Sequence, residues 1–351
     1  MAKYPEGRRR TVSPKTKRGK RSAEDPSSYL LRALLDASPY YVSGSFLAEK
    51  LKISRVAVWG RVDKLRAQGL SIDAARNRGY RLAGEPDSLN RHLIEAWMAE
   101  KHISCPVHIH RKLDSTNSEA ERLLTAGAQA PFAVLADAQT QGRGRLGRSW
   151  SSPPAGNLYL TVAFRPEVPS IRLRLLTLWL GAALADEMRS ITNAPVGLKW
   201  PNDLVVNGLK LGGMLAEASI DPERTLTLAF GLGLNVNASH SRFPKELRDI
   251  VTTLKAQSGS AHRLHELAAT LIGIILRGYE KCLAGLSAED LRRAWEPLDC
   301  LAGRPITAQV GEKTLRGKAA GIDDSGALLL KTRNGRVQPL HSGEVTLNPK
   351  K

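Results

Sequence analysis

Residues 139–150 read QTQGRGRLGRSW, three glycines interleaved with Arg143, Arg145 and Arg148 before Trp150 closes the run. Glycine lets the main chain take positive φ and approach a ligand closely, at a cost in folding entropy. Arginine adds a planar fork of donors suited to carboxylate and phosphate. Together they describe a loop that orders around an anion. A flexible RNA-binding RG segment has a similar texture, but such segments repeat, and this one occurs once between two apolar runs. A loop of this kind needs a rigid scaffold.

The flanking sequence supplies that scaffold. From about Val107 to Leu286, VHIHRKL, FAVLADAQ, NLYLTVAFR, VGLKW, KLGGMLAEA and TLTLAFGLGLNV have strand character. Residues 116–126, 171–191 and 263–284 have helical periodicity. The expected architecture is α+β, a mixed sheet with helices packed on one side. Within it, LDSTNSEA (113–120) puts Ser115 and Thr116 at a helix start, where free N–H groups face any anion. A plain N-cap explains the same residues. KWPNDLVV (199–206) ends a strand at Lys199 and Trp200 and places Asn202 and Asp203 in a turn. Such a turn is unremarkable alone, but a carboxylate beside a phosphate site can help hold Mg²⁺. NGLKLGGMLAEA (207–218) sets Lys210 beside Gly212 and Gly213, and FGLGLNVN (230–237) carries Gly231, Gly233, Asn235 and Asn237. Glycines in apolar strands imply close approach of a backbone or a ligand. No G-x-x-G continuation or βαβ context follows, which excludes a dinucleotide fold.

Upstream, Ser43 and Ser54 are placed to cap two short helices joined by a tight turn at Lys52 and Ile53. Leu47 and Leu51 would face inward from the first, and Val58, Val62 and Leu65 from the second. LSIDAARNRGYRL then reads as two strands around a basic tip. This is the pattern of a winged helix-turn-helix spanning 27–84, with AGEPDSLN (83–90) as its closing linker. Its DNA-facing residues would be Ser54, Arg55, Val56, Ala57, Trp59 and Arg61 on the second helix and Arg76 and Arg78 on the wing. A small helical domain without a nucleic-acid role has the same pattern. Short strands after Pro305, separated by Gly, Asp-Asp-Ser-Gly and Asn-Gly turns, suit a small antiparallel barrel within 298–351.

The net charge of +18 fits polyanionic partners. Residues 1–26 contribute +6 of it, are nearly devoid of apolar side chains and read as a disordered basic tail. If that tail touches DNA phosphates, deleting it should lower the salt slope of DNA affinity. No apolar run reaches the ~20 residues that span a bilayer. Three distant cysteines fit neither a disulfide framework nor a zinc knuckle, so a cytoplasmic setting is expected.

Taken in order, DSTN, GRGRLGRSW, KWPNDL, KLGGMLAE and GLGLNVN resemble the biotin protein ligases, and the N-terminal helix-turn-helix resembles their bifunctional ligase/repressor class. The resemblance covers about residues 28–348. Its departures are Leu146, where some relatives carry another arginine, and the long tail. It implies a class II synthetase-like catalytic domain (85–297) and an SH3-like C-terminal domain. The implied reaction joins biotin and ATP into biotinyl-5′-adenylate, then transfers biotin to a lysine of a biotin carboxyl carrier protein. The implied biotin-binding residues are Ser115, Thr116, Asn117, Gln139, Gly142, Arg143, Gly144, Arg145, Lys210, Gly213, Gly231 and Gly233. Arg145, Arg148, Trp150, Lys199, Asn202, Asp203 and Asn235 would hold the adenylate, and Asp203 Mg²⁺. Lys210 and Arg143 would be catalytic. Adenylate-strengthened homodimerisation on operator DNA is also implied. A regulator that senses the ligand without turnover, and a lipoate-type ligase, share parts of this pattern.

Overall fold

The computed structural model describes residues 25–220 and 225–347. The basic tail therefore lies outside the described residues except at its end. There Asp25 accepts from the N–H groups of Ser27 (2.8 Å) and Ser28 (3.2 Å) and caps α1 (Pro26–Asp36). The capping serines act as their spacing suggests. Ser43 Oγ accepts from Phe46 N and starts α2 (Gly44–Leu51), and Ser54 Oγ accepts from Ala57 N and starts α3 (Arg55–Ala67). Leu30, Leu31, Leu34, Leu47, Val58, Val62 and Leu65 form the buried centre of this unit. The wing is the hairpin β1 (Ser71–Ala75) and β2 (Gly79–Gly84). Gly79 has φ +102°, and a Cβ there would lie 2.0 Å from Val42 O, so only glycine lets the wing press against the segment before α2.

The segment expected to be a linker is pinned instead. Glu85 accepts from Arg263 Nε (2.8 Å) and lies 2.9 Å from His265 Nδ1. Leu89 N donates to Asp137, and Asn90 N to His265 Nε2. Asn90 then caps α4 (Arg91–Glu100), a helix the sequence reading passed over, which packs against α1. Its buried apolar residues Leu93, Ile94, Ala96, Trp97 and Met98 make up one broad side, with Arg91, His92 and Glu95 on the other. Burial raises the Glu85 carboxyl, but His265 and Arg263 outweigh it and hold the group below its ordinary value of 4.5. Its contribution is thus complete above that value and is lost as pH falls through the lower folded one. Glu85→Ala should cost about 1–3 kcal/mol, because the buried His265 and Asn90 network loses its acceptor. A thermal melt at neutral pH checks this.

The central sheet runs β3 (Val107–His110), β4 (Phe132–Ala136), β5 (Leu158–Phe164), β9 (Thr225–Leu234), β8 (Leu209–Ile220), β7 (Asp203–Val206) and β6 (Val196–Lys199). Only β3 and β4 pair in parallel. Helices cover both faces, not one. α6 (Leu176–Thr192) and α9 (Leu264–Leu283) pack on the side of Leu135, Leu160, Val162 and Phe230. α5 (Thr116–Thr125) covers Phe132, Val134, Ala163 and Ala229 with Ala120 and Leu124. β4 and β5 are buried at every position, as strands covered on two sides must be. The short helices α7 (Lys245–Arg248) and α8 (Leu254–Ser258) precede α9, and α10 (Ala288–Trp295) follows it.

Strands β10 (Pro305–Val310), β11 (Lys313–Ile322), β12 (Leu328–Lys331), β13 (Val337–Leu340) and β14 (Glu344–Leu347) form an antiparallel sheet in the order β13-β12-β11-β10-β14. So small a unit needs a neighbour. Its Ile306, Ala308, Leu328 and Leu330 join the main core, and Trp200 Nε1 donates to Gly326 O across the junction.

Candidate functional site

Strand register builds the floor of the site. Lys199 pairs with Asp203, Asp203 with Gly213, and Gly213 with Gly233, one continuous row across β6, β7, β8 and β9. Asp203 therefore opens β7 and does not sit in the preceding turn. The glycines of the row make room for a ring. A Cβ at Gly233 would lie 2.5 Å from the Trp150 indole, and one at Gly213 would lie 3.1 Å away. Two residues along β9, a Cβ at Gly231 would meet Asn117 Oδ1 at 2.3 Å. The close approach anticipated at these glycines is made by side chains. A register shift between Leu204 and Val205 interrupts the ladder beside Lys210, and Lys210 Nζ reaches Asp203 Oδ1 at 2.8 Å. It also lies 5.2 Å from the Trp150 ring centroid.

The start of α5 forms one wall. Ser115 holds the N-cap position, yet its side chain makes no cap bond. The neighbouring Asp114, which could compete for that role, is clamped by both terminal nitrogens of Arg122 at 2.8 Å. Gln139 Oε1 accepts from Thr116 N (2.8 Å) and Thr116 Oγ1 (3.2 Å), while its Nε2 donates to Ser152 Oγ. Thr161 Oγ1 donates to Asn117 Oδ1 at 2.6 Å and lies 2.8 Å from Thr116 Oγ1. Asn117 Nδ2 donates to Glu217 at 2.6 Å, and Glu217 also takes Arg143 Nη2 at 2.9 Å.

The arginine-glycine loop folds back as a hairpin. Gly144 N donates to Arg148 O and Trp150 N to Gly142 O, each at 2.7 Å. A Cβ at Gly142 would lie 2.5 Å from Trp150 O, and Gly147 has φ +73° at the tip. Two of the three glycines thus serve this specific shape rather than general freedom. Arg148 pairs with Glu344 of the C-terminal sheet, and Arg145 Nη1 lies 3.5 Å from Gly343 O.

Arg143, Arg145, Arg148, Lys199 and Lys210 line the cavity against the carboxylates of Asp203 and Glu344. Burial draws the Arg145 and Lys199 pKa values down, with Asp203 opposing in both cases. Crowded, partly desolvated cations of this kind favour an anionic ligand. Trp150 Nε1 and Asn235 Oδ1 are buried without a hydrogen-bond partner among the described residues. Of the residues expected at the site, Gly142 and Asn235 lie behind the lining, and the others reach the cavity. Asn202 does so with its Nδ2 held by Met214 O. The sequence reading missed Thr161, Ser152, Glu217 and Glu344. Glu217 alone had a local signal, since it follows Gly213 and Leu215 on one face of β8 by twos.

A second surface lies on the helix-turn-helix. Arg55, Val56, Trp59, Arg76 and Arg78 line one groove between α3 and the wing. Ala57 is exposed beside them, and Arg61 is half-buried. Ser54 belongs to the cap, where its hydroxyl is engaged, and Arg78 stacks 4.4 Å over Tyr41.

Three family models match in chain order: an HTH domain at 27–81, the Biotin/lipoate A/B protein ligase family at 110–235 and a Biotin protein ligase C terminal domain at 302–347. The chain is 31% identical to the bifunctional ligase/repressor BirA of Bacillus subtilis (strain 168), over 91% of this chain and 97% of that protein. It is also 31% identical to the BirA of Escherichia coli (strain K12), over 90% and 96%. The Aquifex aeolicus biotin protein ligase, solved with biotin and ATP, superposes with a TM-score of 0.56 at 29% identity, over 70% of this chain and 99% of that one. With matched domains at both ends of a cation-lined catalytic unit, the chain belongs to the family of bifunctional biotin protein ligase/repressors.

Proposed function

We infer that the protein is an ATP-dependent biotin protein ligase that also binds DNA as a repressor. The observation that carries the ligase reading is the convergence of five cations on a cavity whose floor glycines seat the Trp150 ring. In the first step a biotin carboxylate oxygen attacks the α-phosphorus of ATP, the new C(O)–O–P bond forms, and pyrophosphate leaves. Two anions must meet, so the barrier is largely electrostatic. Lys210 and Arg143 lower it by facing both. The hairpin and Trp150 then keep water from the mixed anhydride. In the second step a lysine amine of a biotin carboxyl carrier protein attacks the acyl carbon and AMP departs.

Mg²⁺ fits the site on limited terms. Asp203 is a partly buried carboxylate whose Oδ1 already faces Lys210, and among the described residues no cluster of three His, Cys, Asp or Glu could hold a metal. Asp203 would hold the ion through few protein contacts, with ATP phosphates as further ligands. It supplies added charge neutralisation when bound.

Glu217 sets the position of Arg143. Glu217→Gln should raise the KM for biotin about tenfold, the loss of one charge-assisted bond. Steady-state adenylation kinetics check it.

Adenylate-strengthened homodimerisation, a cytoplasmic setting and an SH3-like C-terminal barrel complete the proposal. No helix among the described residues is long and apolar enough to cross a membrane. The test is pyrophosphate release from ATP with biotin against lipoate, without acceptor. Release with biotin alone supports the ligase. Release only with lipoate would make it a ligase for another acid, and none with either would leave a ligand-sensing regulator.

A further inference from the structure

Helix α3 exposes two large apolar side chains that folding does not require. Val56 is 77% and Trp59 56% exposed. The inward side of α3 is already complete with Val58, Val62 and Leu65. Three residues apart, Val56 and Trp59 share a side of the helix near its N-terminal end, the part that meets base edges in a helix-turn-helix. Both line the groove that Arg55, Arg76 and Arg78 make cationic. That rim suits a polyanion, but phosphate contacts carry no sequence information. Base edges in the major groove offer donors, acceptors and one apolar group, the thymine C5 methyl.

We propose that Val56 and Trp59 read thymine methyl groups and are the specificity-determining pair of the DNA site. This rests on the DNA-binding reading, which the arginines and the family carry independently. Without the pair, the cationic groove would hold duplex of any sequence. With it, burial of each methyl against valine or indole favours sites with thymine at the facing positions.

The test begins by selecting binding sites from a random duplex pool, using the full chain with biotin and ATP. Each thymine of a selected duplex is then replaced by deoxyuridine, which removes the methyl and keeps every hydrogen-bonding group. At the facing positions each replacement should weaken wild-type binding about fourfold. A Val56→Ala/Trp59→Ala variant should bind the thymine and uracil duplexes equally. Arg55→Ala should instead weaken both alike and flatten the salt dependence. Circular dichroism melts verify that the variants fold, as exposed substitutions generally do. Wild-type binding indifferent to uracil would overturn methyl readout and leave DNA binding standing. A double variant as discriminating as the wild type would do the same. Failure to enrich any sequence would overturn sequence readout altogether, and failure to retain any duplex would remove the DNA-binding reading beneath it.

Discussion

Lys210→Ala should lower biotin-dependent pyrophosphate release by about 10²–10³-fold, the usual effect of deleting one preorganised charge from an anionic reaction centre. The backbone at this position is held independently of the side chain. Lys210 N donates to Ile250 O at 2.8 Å and Thr252 N to Lys210 O at 2.9 Å. Truncation therefore removes the ammonium and leaves the strand in place. It also strips Asp203 of its partner, and a stray carboxylate would itself repel phosphate. Lys210→Ala/Asp203→Asn separates the two effects: release should stay low, because the missing cation dominates. Recovery to near the wild-type rate in the double variant would mean that Lys210 merely neutralises Asp203. A single variant with an unchanged rate would place the chemistry elsewhere in the cavity.

Local chemistry was legible in the sequence wherever one residue decides one feature. Ser43 and Ser54 cap the helices expected of them, and Val58, Val62 and Leu65 face inward as their spacing requires. The glycines at 213, 231 and 233 mark close approaches, although the pattern does not say which group approaches. Features that depend on two faces were harder. The coverage of β4 by α5 as well as α9-side residues follows from continuous burial, which an apolar run only hints at. Contacts between distant parts of the chain were out of reach. Nothing near Arg148 announces Glu344, which arrives from β14 of another domain. Nor does the linker at 83–90 announce that Glu85 will be met by Arg263 and His265 from α9 and its cap.

Gly231→Ala should lower adenylation about 10²-fold and destabilise the protein by about 1–3 kcal/mol, the range for overpacking a well-filled interior. Gly231 lacks a positive φ, so its backbone accepts alanine and the cost is steric alone. The obstacle is Asn117, 4% exposed in the first turn of α5 and tied to Thr161, Leu215 O and Glu217. It cannot step aside without moving the helix start, Glu217 and, through Glu217, Arg143. An Asn117→Ala/Gly231→Ala double variant removes the clash. Its loss of stability should be smaller than the sum of the two single losses, with a coupling of about 0.5–3 kcal/mol. Additive losses would mean that the two residues do not press on each other. Gly233→Ala provides the contrast, since its Cβ would meet the Trp150 ring at 2.5 Å. That ring belongs to a loop whose residues 146–149 are exposed, so it can yield. Gly233→Ala should therefore impair adenylation with little change in melting temperature. Equal destabilisation by the two substitutions would make Trp150 as fixed as Asn117, and a loop so fixed could not open to admit biotin and ATP.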